Sequence, residues 1–328
     1  MTTPLVSVLV TLYNLERYVA AAIESVLAQS LQDFEIIVTD DQSTDGSANV
    51  VERLVARDSR IRLHRNPRNL GDYANRNHAA SLAQGTYLKF HDSDDVMYPH
   101  CLQTMVMLLS AEPRAAFALS SGGYWPGGPV PILSTPAMSY RREFLGHGLF
   151  MAGPAGALFR RQAFLASGGF EDHGPASDYI YWLRACARDS VLLVPGDLSW
   201  YRVHDGQSLT SSRAFRSYAR VPAHAWRALA DPGCPLTDDE RRVARRNLVF
   251  SAGKSVWHAL RRRRWSEALC RLRESGFGQG TWLAYLRPPR RSVLAGVPLD
   301  SAGDYVVPSW CRPASAHTGT PLARHDQA

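Results

Sequence analysis

Apolar and polar positions alternate between two periods in the first half of the chain. Short apolar runs at 5–10, 34–39, 61–64 and 87–90 have the length of strands. Between them lie segments with apolar residues at helical spacing: 15–29, carrying Val19, Ala22, Ile23, Val26 and Leu27, then 47–57, and a stretch from Gly71 through Ala83. Strand and helix in alternation predict a parallel sheet wound with helical crossovers. Residues 99–111 read as the next helix and 115–119 as the next strand, whereas the Gly- and Pro-rich interval 122–136 reads as a loop. Further on, 157–166 has the spacing of a short helix stopped at Gly168 and Gly169. Ser177 is placed to cap a helix over 178–188, and 191–194 and 200–203 read as closing strands. Beyond Ser212 come Arg-rich helical segments, 239–260 and 265–274, and after residue 300 few apolar residues remain, the pattern of a disordered tail.

This pattern divides the chain into a mixed, mainly parallel α/β unit over 1–212, a basic helical region over 213–300 and a tail over 301–328. Apolar residues make up 45% of the chain, enough for a full core. The five cysteines (Cys101, Cys186, Cys234, Cys270, Cys311) are scattered without metal-binding or redox spacing, so a reducing compartment without disulfides or structural zinc is expected. The first residues lack a basic region followed by an apolar signal core, and no run approaches the length of a membrane span, which predicts a cytoplasmic protein. The net charge of +7 is unevenly distributed: 213–291 holds 18 basic and 6 acidic residues, so the remainder is slightly acidic.

Asp92 and Asp94 follow directly on the strand at 87–90 and are separated by one residue. Positions i and i+2 of a strand share a face, so the two carboxylates can point together beyond the strand's carboxyl end, where open α/β sheets bind ligands. Oxygen donors in small number suit Mg2+ or Mn2+ completed by substrate phosphates. Taken alone, an Asp-rich tetrad is equally compatible with a turn or a helix start.

The set of motifs in order points further. Val6 to Asn14, Ile23 to Ser30, and Phe34 to Ser47 with its Asp40-Asp41-Gln42-Ser43-Thr44-Asp45-Gly46 core are followed by Asn69-Leu70-Gly71, Ala74-Asn75-Arg76-Asn77, Asp92-Ser93-Asp94-Asp95 and Ser177-Asp178-Tyr179. Together they resemble the inverting family-2 glycosyltransferases over residues 4–212, which implies a GT-A-like fold, a UDP- or dTDP-sugar donor, a divalent cation (Mn2+ or Mg2+) and a hydroxyl acceptor on a glycan or lipid-linked molecule. By this resemblance Thr11, Tyr13, Asp41, Arg76 and Asp92 bind the nucleotide, Asp94 and His204 hold the metal, and Asp178 is the catalytic base. Tyr13 can stack on a base, and the Asp41 carboxylate can accept from a pyrimidine N3–H. Thr11 stands where many members have proline, and Ser177 where many have glutamate. Glu171 and Asp172 are rival carboxylates for the base; Asp95 is expected to cap the following turn, and His91, Tyr179 and Trp182 to pack.

The four arginines 261–264 precede Trp265, Ala268, Leu269 and Leu272, an arrangement that suits an anionic membrane surface as well as a solvated helix. Nucleic-acid binding is not expected, because basic and aromatic residues do not interleave as in a recognition module. Two other readings stay open: a nucleotidyltransferase on a similar scaffold, which would want a Gly-rich phosphate loop absent after the first strand, and a catalytically silent nucleotide-binding scaffold.

Overall fold

A computed structural model describes residues 3–120, 131–146, 148–196, 198–204 and 212–285. In chain order the first half contains β1 (Val6–Leu12), α1 (Val19–Leu27), β2 (Phe34–Asp40), α2 (Ser47–Val55), β3 (Ile61–Arg65), α3 (Asp72–Leu82), β4 (Tyr87–Asp92), β5 (Val96–Met97), α4 (Cys101–Ser110) and β6 (Ala115–Ser120). The second half contains β7 (Ile132–Ser134), α5 (Pro136–Leu145), β8 (Ala157–Arg160), α6 (Arg161–Ala166), α7 (Ser177–Cys186), β9 (Ser190–Val194) and β10 (Ser199–Trp200). Five helices follow: α8 (Ser212–Ala219), α9 (Val221–Ala230), α10 (Asp238–Arg261), α11 (Trp265–Glu274) and α12 (Gln279–Tyr285).

Eight strands form one sheet in the order β3-β2-β1-β4-β8-β6-β9-β7. The first four are parallel, β8 runs antiparallel between β4 and β6, β9 is parallel to β6, and β7 closes the edge antiparallel. Successive strand residues face opposite sides, so β1 sends Val6, Val8, Val10 and Leu12 into the layer under α1 and α4, and Leu9 into the layer on the other side. The second layer is aromatic: Phe90, Phe117, Phe159, Phe164, Phe170, Tyr181 and Trp182 meet mostly edge to face or tilted. That layer continues into α9 and α10 through Ala225, Leu229 and Ala244.

The elements read for the nucleotide half form with boundaries shifted by a few residues. Residues 157–166 do not form one helix. Ala157–Arg160 is a strand, because pairing with β4 and β6 on both sides outweighs the helix propensity of Ala and Leu, and the helix starts only at Arg161. The interval read as a loop contains β7 and ends at the first residue of α5; residues 122–130 of it lie outside the described set. The strand expected over 200–203 is reduced to the two residues Ser199–Trp200, paired with β5. Ser177 is the first helical residue, not the cap: Ala176 takes the N-cap, and the Ser177 hydroxyl donates to the Gly174 carbonyl and accepts from the His173 N–H. The expected tail falls outside the described residues. Cys101, Cys186, Cys234 and Cys270 are free thiols, and no helix among the described residues is long and apolar enough to cross a membrane.

Candidate active site

The parallel strands β1, β2 and β4 end together, so that Thr11 lies opposite Thr39 on one side and Asp92 on the other. Asp41 follows β2 directly and is buried. Its carboxylate accepts from Asn66 Nδ2 at 2.7 Å, the Leu70 N–H at 2.8 Å and the Gly71 N–H at 2.9 Å. Three of about four acceptor positions are thereby filled. Asp41 thus fastens the 66–71 loop and keeps one lone pair for a further donor. Gly71 adopts φ +88, a left-handed backbone that delivers two consecutive N–H groups to that carboxylate. Asn75 extends the network, accepting from Asn66 and donating to the Thr39 carbonyl. Tyr13, just past β1, is 50% exposed, its ring available to a flat ligand.

Arg76 on α3 is the hub of the next layer. Its guanidinium donates to Asp72 at 2.9 Å and to Asp92 at 2.7 Å, while Nη1 is buried with no hydrogen-bond partner among the described residues. Burial alone would lower the arginine pKa, but Asp72 and Asp92 outweigh it and raise it, so the side chain stays charged. Conversely, burial would raise the Asp92 carboxyl, and Arg76 more than offsets that, holding it below the usual carboxylate range. Asp92 therefore faces a guanidinium across the sheet end and not its neighbour Asp94.

Asp94 meets His204, with Oδ2 and Nε2 3.0 Å apart. The short ribbon of β5 and β10, pairing Val96 with Trp200, brings residues more than a hundred positions apart in sequence to this turn. Arg202 continues the ribbon: its N–H donates to Asp95 Oδ1 at 3.0 Å and its Nε to the Asp94 carbonyl at 2.8 Å, and its guanidinium lies over the rings of Tyr18 and Trp200. His204 is packed on Tyr18, with ring centroids 4.4 Å apart. Asp95 does not cap the following turn as expected, because its carboxylate is taken by the Arg202 backbone. Burial, then the Asp92 charge, push its pKa up to about 7.

The donor set fits a hard divalent cation with open positions. Asp94 and His204 offer one oxygen and one nitrogen, and no group of three or more His, Cys, Asp or Glu among the described residues is arranged to hold an ion. A cation held by so few protein groups takes its remaining ligands from water and substrate phosphate.

Asp178 is the second residue of α7. Burial pushes its pKa up to about 7, against the pull of its contact with the Tyr179 N–H and of the Arg76 charge. Arg76 is thus felt by both Asp92 and Asp178, which links the end of β4 to α7. The rival carboxylates are placed differently: Glu171 is exposed and paired with Arg184 and His173, and Asp172 is exposed and accepts from the Gly174 N–H. Tyr179, Trp182 and His91 are packing residues, donating to Glu143 and the Ala152 carbonyl and lying 3.3 Å from the Ala22 carbonyl respectively.

The loop before Asp178 is held from outside the expected catalytic unit. Ser217 on α8 donates to the His173 carbonyl at 2.6 Å and accepts from the Ala176 N–H at 3.0 Å. Tyr218 and Tyr73 both reach the Pro175 carbonyl. Ser217, Tyr218, Asn66 and Tyr18 stand in none of the motifs read from the sequence. Asn66 precedes a proline in a polar loop and was visible as a turn signal, while Ser217 sits in a helix with no pattern to mark it.

Comparison with known proteins bears on the family and the fold. Residues 7–167 match the family described as glycosyl transferase family 2. The chain is 41% identical over 107 residues to the putative glycosyltransferase EpsE of Bacillus subtilis, a match covering 32% of this chain and 38% of EpsE. The chain spans 38% of the length of each of the first two curated relatives it matches. Among solved structures, S. aureus TarS in complex with UDP superposes with a TM-score of 0.56 at 18% identity, covering 75% of this chain and 72% of TarS. The mannosyltransferase PcManGT from Pyrobaculum calidifontis, in complex with GDP-Man and Mn2+, superposes with a TM-score of 0.53 at 19% identity, covering 90% and 87% of the two chains. With these motifs on this sheet, residues 7–167 carry a glycosyl transferase family 2 domain, and the described residues have a GT-A-type fold.

Proposed function

We propose that this glycosyltransferase moves a hexosyl group, with inversion, from a UDP- or dTDP-sugar to a hydroxyl of a glycan or lipid-linked acceptor at the cytoplasmic face of a membrane. The observation that carries the reading is the burial of Asp178 on the first turn of α7, within the field of the Arg76 guanidinium that pairs with Asp92, which leaves its carboxyl poised at about 7. A base is most effective near the operating pH, and a carboxylate with this pKa is substantially ionised at neutral pH and still able to take a proton. The acceptor hydroxyl attacks the anomeric carbon and gives its proton to Asp178. The bond from that carbon to the phosphate oxygen breaks on the opposite face, and the nucleoside diphosphate leaves with the electron pair. One in-line displacement inverts the centre.

On the donor side, Tyr13 offers a ring to the base, and Asp41 has one remaining acceptor position, suited to a pyrimidine N3–H. The buried, unpartnered Nη1 of Arg76 is a donor for a ribose or phosphate oxygen. Asp94 and His204 would hold Mn2+ or Mg2+, which would supply charge neutralisation for the departing diphosphate. EpsE and TarS support the family reading, while the GDP-Man and Mn2+ of PcManGT leave a guanine nucleotide to be tested alongside.

Calorimetric titration with UDP, dTDP, GDP and ADP, with Mn2+ and then with EDTA, tests the assignment. Metal-dependent binding restricted to UDP and dTDP is expected, followed by release of UDP in the presence of an acceptor. Binding without any turnover would favour a silent scaffold, and release of pyrophosphate from a nucleoside triphosphate would favour a nucleotidyltransferase.

A further inference from the structure

Helices α10 and α11 form a hairpin joined by a turn of four arginines, 261–264, and sealed by Val256, Ala259, Leu260 and Ala268. The outer face of α11 has no cover among the described residues. Trp265, Leu269 and Leu272 stand at i, i+4 and i+7, so they share one stripe; Trp265 is 67% exposed and Leu269 46%. Trp257, near the end of α10, is 60% exposed, with Lys254 and Arg261 one turn away on either side. An apolar stripe facing solvent is the opposite of what a helix docked on a globular core presents.

The charge around the stripe is of one sign. Arg261, Arg262, Arg263 and Arg273 are exposed and have no ion-pair partner among the described residues. The acidic residues of the helix are already engaged, Glu267 with Arg264 and Glu274 with Arg220. We infer that the α10–α11 hairpin is a docking surface for an anionic lipid bilayer, with Trp257, Trp265, Leu269 and Leu272 entering the headgroup region and the arginines meeting lipid phosphates. Tryptophan and long cationic side chains settle where an apolar body meets a wet polar boundary, and a basic amphipathic helix lies in that plane.

Other occupants fit the charge less well. A two-fold contact with a second copy would bring one arginine turn against another. The chain's own residues 286–328 hold five arginines against three aspartates and offer no negative complement.

Sedimentation of the full chain with vesicles tests the surface. Phosphatidylcholine vesicles containing phosphatidylglycerol are expected to carry the protein down, with affinity falling as salt rises, and pure phosphatidylcholine to leave it in solution. A juxtamembrane cationic residue contributes about fivefold in affinity, so R261Q/R262Q/R263Q together reduce binding on the order of 100-fold. W265S/L269S reduces it at least about tenfold by removing the inserted stripe. Both variants alter exposed residues, and unchanged melting temperatures show that they fold. Failure of the wild-type chain to bind anionic vesicles, or equal binding by all three proteins, overturns the inference. Light scattering that shows a dimer converted to monomer by W265S/L269S reassigns the stripe to a second copy.

Discussion

The two sides of the proposed active site are built by different means. On the side proposed for the nucleotide, most groups stand at the end of a parallel strand or in the turn that follows it, Thr11 and Tyr13 at β1, Asp41 after β2, Asp92 and Asp94 at β4, with Arg76 on α3 facing them. The ladder of backbone hydrogen bonds that makes the sheet therefore also aligns the ligands. On the side proposed for the acceptor, Asp178 opens a helix, and the loop before it is held by side chains of α8, a helix outside the residues that match the family. The first side is organised by secondary structure and the second by tertiary contact, so damage to the helical region should reach turnover before it reaches nucleotide binding.

The largest test of that division is Asp178→Asn. Loss of a general base lowers turnover by about 100- to 10,000-fold, with UDP affinity retained by calorimetry; a matching loss of affinity would merge the two sides into one. The pH profile sharpens it. Asp178 must be ionised to act, so kcat/KM should fall about tenfold per unit below an acid limb near pH 7. Stability runs the other way: with the folded pKa raised above 3.8, the native state holds the proton more tightly than the unfolded chain. This contribution is full below that unfolded value and lost as pH rises through about 7. Asp178→Asn should therefore melt higher than wild type above pH 7.

Asp94→Ala probes the nucleotide side. It should cut Mn2+-dependent UDP affinity on the order of 100-fold, while affinity measured in EDTA stays unchanged; equal affinity with and without metal in the wild type would remove Asp94 and His204 from metal binding. Ser217→Ala is the direct test of the tertiary side. Removing the hydroxyl that joins His173 to Ala176 lets the base shift and lowers kcat about tenfold, with the KM for donor unchanged. A change in donor KM alone would assign α8 to the nucleotide. The smallest effect is expected from Tyr13→Ala, about 1 kcal/mol of nucleotide affinity, with a melting temperature close to wild type because the ring is half exposed.

This division also explains what could be read from the sequence. Strands β1 to β4 carry periodic apolar runs closed by polar turns, and the motif residues follow each run at fixed offsets, so the fold and the chemistry of that half are written together. Residues 157–160 misled because Ala, Leu and Phe suit a helix as well as a strand, and only the neighbours β4 and β6 decide. Thr135-Pro136 was a legible start signal for α5, since the Thr135 hydroxyl accepts from the Met138 N–H and Pro136 occupies the first helical position. The hold of Ser217 and Tyr218 on the base loop could not be read at all: it spans some forty residues and uses residue types found in any helix.

The Arg76 hub carries one consequence for the order of events at the site. Asp72, Asp92, Asp94, Asp95 and Asp178 gather near three cations, Arg76, Arg202 and Lys89, so with these groups ionised and the histidines neutral the carboxylates outnumber the cations by two. On the proposed reading, a diphosphate entering alone would meet repulsion, and a cation entering alone would meet too few ligands. Each cures the other's deficit, and by linkage each must raise the other's affinity by the same factor. Two weak guests then become one cooperative one, and departure of either loosens its companion.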